Sequence, residues 1–101
     1  MTNTFSIYPS WKPVPVAGIS SVVSSSAVTI CQTPNINTQF VIVDVQLADV
    51  FVTFGGDTPS ATNGHRWVFG KQYPLSLAGA QTAKFIQASS SSTLYTSEWT
   101  S

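Results

Sequence analysis

Charge is what this sequence has least of. Asp, Glu, Lys and Arg make up 8% of its 101 residues, where soluble proteins average about 25%. Four cations (Lys12, Arg66, Lys71, Lys84) balance four acids, so the formal net charge is zero. A strong nucleic-acid site neutralises about 6–10 phosphates, so no nucleic-acid partner is expected. A lone cysteine, Cys31, excludes a disulfide within the chain. A lone histidine, His65, leaves too few soft ligands for a conventional zinc site; neither a metal nor a cofactor is expected. No run approaches the roughly 20 apolar residues of a membrane span. The opening MTNTFSIYPSW has neither the basic region nor the continuous apolar stretch of a signal peptide.

Catalytic groups are equally sparse. The carboxylates are Asp44, Asp49, Asp57 and Glu98. No Gly-x-Ser-x-Gly elbow occurs, and Gly55-Gly56 lacks the Lys-Ser/Thr that follows in a phosphate loop. Acid–base chemistry needs placed groups, and the expectation is that the chain is not an enzyme.

Apolar residues, by contrast, reach 43%, too many for a disordered chain. Ser and Thr number 27, and Val, Ile, Thr, Phe and Tyr dominate the ordered-looking stretches. These types suit pleated, half-buried surfaces, and no segment reads as an amphipathic helix. Phe40–Leu47 carries the clearest strand signal, with Val41, Val43, Val45 and Leu47 on one face. Val50–Phe54 follows after Ala48-Asp49, as though the two formed a hairpin. Further strands are expected at 4–8, 27–32, 66–69, 73–77, 81–88 and 93–99. Residues 18–26 read as a loop or a weak strand. Turns are expected at Thr33-Pro34-Asn35, 55–59, Asn63-Gly64, Ala78-Gly79 and 89–92. About seven to nine short strands with frequent turns predict an antiparallel β-sandwich or jelly roll.

Pro9, Pro13 and Pro15 cannot donate to a sheet ladder. Residues 1–16 are therefore expected to form an extended N-terminal arm, and residues 17–101 a single sandwich domain. Tyr8, Trp11, Pro13 and Pro15 on the arm, with Asp57, Asn63, His65 and Trp67 around the polar loop, are the candidate interface residues. Interfaces are enriched in aromatic residues, though the same rings serve as core or as platforms for sugar.

The stretch Val50–Trp99 also resembles small structural proteins of tailed bacteriophages. The shared arrangement is V-x-V-T-F-G-G, then T-P-S-A-T-N-G-H, a glycine turn and P-L-S-L, then A-K-F-I-Q-A, a serine turn and T-L-Y. It covers about half the chain. Phe69-Gly70-Lys71 departs from it, standing where a proline–glycine turn is more usual. The resemblance implies a virion component similar to capsid decoration or cement proteins. Such a protein is made in the host cytoplasm, binds the major capsid protein on the outer shell, bridges neighbouring subunits and, by analogy with three-fold shell sites, is a homotrimer. A neck or tail component and a small sugar-binding module for host adsorption are the alternatives.

Overall fold

The computed structural model describes residues 12–14, 18–30, 34–60 and 62–100. The expected strand at 4–8 and the candidate residues Tyr8, Trp11 and Pro15 lie outside them, as does Cys31. Nine strands and one short helix follow in the order β1 (Lys12–Pro13), β2 (Ile19–Val23), β3 (Val28–Thr29), β4 (Phe40–Gln46), β5 (Val50–Thr53), β6 (His65–Trp67), β7 (Gln72–Ser76), α1 (Leu77–Thr82), β8 (Lys84–Gln87) and β9 (Ser92–Thr100). They form two packed antiparallel sheets, an all-β sandwich. The five-stranded sheet runs β1-β9-β4-β7, with β2 also paired along β9; the four-stranded sheet runs β3-β8-β5-β6.

The alternation of β4 explains the layering. Val41, Val43 and Val45 are fully buried and stand opposite Glu98, Thr96 and Leu94 of β9. From the facing sheet Val50, Val52 and Phe85 meet them, also fully buried. β-branched side chains are stiff and pack well on a pleated surface. Burying each is worth about 1.5–3 kcal/mol relative to exposure. Trp67 of β6 stacks on Tyr73 of β7 with centroids 4.2 Å apart and planes 3° off parallel, joining the two sheets along one side.

Three sequence expectations are corrected. First, β4 and β5 are not a hairpin: β4 pairs with β7 and β9, β5 with β6 and β8. The turn between them is centred on Leu47, whose φ is +75°, with Ala48 N donating to the Gln46 carbonyl at 2.9 Å. A residue-skipping bond around a positive φ is the rarer, strained hand of γ-turn. It swings the chain into the other layer, so both valine faces meet. It also takes Leu47 off the buried face, leaving it 75% exposed. Second, the Ala78-Gly79 turn lies within helix α1, capped by Ser76 Oγ, which accepts from Gly79 N at 3.1 Å. Six residues are too few to display a helical period. Third, part of the expected arm belongs to the sandwich. Lys12 and Pro13 pair with Thr100 and Trp99, Val14 N donates to the Glu98 carbonyl at 2.9 Å, and Val14 is buried.

Candidate functional site

Helix α1 carries the chain from Ser76, which lies opposite Phe40, to Lys84, which lies opposite Thr53. The loop that follows β5 closes on itself at this end of the molecule. Gly55 and Gly56 adopt φ of +72° and +89°, values that glycine reaches at no steric cost. Thr53 Oγ1 then donates to the Asp57 carbonyl, and Asn63 Nδ2 to the Thr58 carbonyl at 3.1 Å. Ser60 and Asn63 exchange backbone bonds of 2.8 and 3.2 Å. Gly64, at φ +147°, passes so close beneath Val52 that a Cβ would sit 3.1 Å from its carbonyl oxygen.

The result is an open cleft of about 420 Å³ lined by Thr53, Phe54, Asp57, Asn63, Gly64 and His65. Three sequence candidates (Asp57, Asn63 and His65) are brought together there, all exposed. Phe54, the last residue of the expected strand, forms part of the wall. Its ring lies 6.1 Å from that of His65 and 6.2 Å from that of Trp67, so an aromatic row leads from the core to the cleft. Trp67 itself is not an interface residue. It is 8% exposed and packs edge-on against Phe85 at 5.5 Å. The reason is register: Trp67 stands opposite Val50 on the inner face of β5. A sugar platform built on Trp67 loses its ring for the same reason. Pro13 lies elsewhere, in a second recess of about 430 Å³ beside Ile36 and Thr38.

The opposite end of the sandwich exposes apolar side chains beside an ion pair built on one carboxylate. Asp49 Oδ2 accepts from Arg66 Nε at 2.9 Å, and Asp49 Oδ1 accepts from Phe69 N at 2.9 Å. Arg66 in turn lies over the Phe51 ring, 5.7 Å from its centroid. Gly70 N donates to the Val45 carbonyl at 2.7 Å, and Ser92 Oγ lies within 2.6 Å of the Gln46 and Ala48 carbonyls. On this braced frame Leu47 is 75% exposed, Phe69 56% and Val68 38%. Sequence reasoning missed this cluster, because Leu47 continues the buried alternation of β4 and only its left-handed backbone turns it outward.

The Phe69 N–H, and then Arg66, hold the Asp49 carboxyl below its ordinary value of 3.8. A depressed carboxyl contributes stability above its unfolded pKa, and loses it as pH falls through the folded value. A carbon-detected NMR titration is expected to give Asp49 a midpoint below 3.8. A midpoint at or above that value refutes the two hydrogen bonds to Asp49.

Among the described residues His65 has no hydrogen bond to a hydroxyl or carboxylate, so no nucleophile–base pair is formed. No group of three His, Cys, Asp or Glu converges as metal ligands among them, and no helix is long and apolar enough to cross a membrane. No family model, curated protein or solved structure matches the chain.

Proposed function

We propose that this chain is a capsid decoration protein of a tailed bacteriophage, bound to the outer shell and stabilising contacts between neighbouring major capsid protein subunits. The observation that carries the reading is the braced apolar end: Leu47, Val68 and Phe69 stand exposed on a frame fixed by Asp49. Apolar anchors held rigid before binding lose little entropy on docking. The strained φ of Leu47 points the same way, since such backbone persists where the surroundings enforce it, often at functional positions. Low charge agrees, because a neutral surface has little self-repulsion when many copies crowd together.

The mechanism is mass action. A protein that binds the assembled shell and not its free subunits stabilises assembly by about 2.7 kcal/mol at a hundredfold excess over Kd. A trimer multiplies this by engaging several subunits at once. The test is copy number in purified particles of the source phage, by quantitative mass spectrometry. Abundance of the same order as the major capsid protein is expected. A handful of copies per particle moves the chain to the neck or tail, and absence from the particle overturns the virion reading.

A further inference from the structure

We infer that the cleft between Phe54 and Asp57 is a receptor for a guanidinium group, the side chain of an arginine on a different protein. The chain already holds one guanidinium with a carboxylate and a ring. At the apolar end a carboxylate and a phenyl ring, Asp49 and Phe51, hold a guanidinium: Arg66 contacts the carboxylate at 2.9 Å and lies 5.7 Å over the ring. In the cleft the same two residue types, Asp57 and Phe54, are both lining residues, and none of the four Lys and Arg side chains pairs with Asp57. A carboxylate recognises a guanidinium through two parallel charged hydrogen bonds. An aromatic face attracts the same cation and stacks on its plane.

The rest of the lining fits this ligand. Asn63 donates its amide to the Thr58 carbonyl, which orients the group and leaves its Oδ1 as an acceptor. The His65 ring lies beside Phe54, tilted 44° to it, and adds a second aromatic side chain to the lining. Self-bonding of the loop through Ser60 and Asn63 sets these groups in place before a ligand arrives. The cation has to come from elsewhere. Arg66 is the chain's sole arginine, and its charge is already paired with Asp49, which disfavours a second copy as the source. The inference stands apart from the virion reading, since it concerns what the cleft binds and not where the protein resides.

The experiment titrates the isotope-labelled full chain with Nα-acetyl-arginine methylamide and follows backbone amide shifts. The neutral citrulline analogue, which keeps the shape and lacks the charge, is the control. Shifts are expected at Phe54, Asp57, Asn63, Gly64 and His65, saturating at millimolar concentrations, the range of a single side chain with few contacts. Asp57→Asn, an exposed and nearly isosteric change, is expected to weaken binding about tenfold. Phe54→Leu keeps apolar bulk and removes the ring face; about threefold weakening is expected from it. An equal response to citrulline, an affinity unchanged by Asp57→Asn, or no response at tens of millimolar overturns the inference. A response to neutral saccharides with none to arginine overturns it too and makes the cleft a sugar site.

Discussion

Phe85→Ala is expected to lower the unfolding free energy by about 3–5 kcal/mol, the range for removing a buried phenyl ring. Phe85 is fully buried. It stands in register between Val28 and Val52 and meets the Trp67 ring at 5.5 Å. Strands β3 and β5 pair with β8 on either side of it. Their ladders hold the backbone apart, so the cavity has little room to collapse, and its volume adds to the lost transfer energy. Domains of this size have about 5–15 kcal/mol in total, so the variant sits near the unfolding threshold. Equilibrium denaturation in urea measures it through the shift in midpoint at constant slope. A loss below about 1.5 kcal/mol would place Phe85 outside the core. Phe85→Leu, which refills most of the space, is expected to cost clearly less.

The second large effect concerns a buried acid that has no salt bridge among the described residues. Glu98 is 6% exposed, and its Oε1 accepts from Asn35 N at 2.8 Å and from Thr38 Oγ1 at 2.5 Å. It thereby ties the connection between β3 and β4 onto β9, with Thr38 N closing the turn on the Asn35 carbonyl at 3.0 Å. Glu98→Ala leaves two donors without their acceptor, and a cost of about 2–3 kcal/mol is expected. Glu98→Gln keeps an oxygen in the same place and loses only the charge assistance, so about half that cost is expected. Hydrogen exchange at the Asn35 amide separates anchoring from general destabilisation. It should quicken in Glu98→Ala beyond what the change in global stability allows. Unchanged exchange there would refute the anchor.

The strands that showed in the sequence are those with one buried face. β4, β5 and β9 alternate because each covers the core on one side, and Val41, Val43 and Val45 announce it. Which strands pair was not legible, since pairing here joins distant parts of the chain. Nothing in Ala48-Asp49 distinguishes a hairpin from a change of layer, and the deciding feature is the backbone of Leu47. The site was half legible for a similar reason. Asp57, Asn63 and His65 sit among glycines and turn formers, which mark exposed loops, and the cleft gathers all three. Trp67 offers no such cue. A tryptophan on a three-residue strand reads alike inside or out, and its register opposite Val50 decides. Arg66 and Asp49 carry no motif either; the pairing of β5 with β6 within one sheet brings them together.

The position of β9 governs how this molecule can be made. Every strand that β9 joins (β1, β2 and β4) precedes it in the chain. A nascent polypeptide that ends before Ser92 can zip β4 to β7, but it lacks the strand that pairs with β1 and β2. Ribosomes add about 5–20 residues per second, so those edge segments wait several seconds for their partner. Non-local pairing of this kind folds in milliseconds to seconds, so closure of the sheet is a single late event. Until then β2, with its uncharged Ile-Ser-Ser-Val-Val run, is an unpaired strand open to the wrong neighbour. Premature termination anywhere upstream of Ser92 therefore yields an aggregation-prone chain and not a smaller working domain.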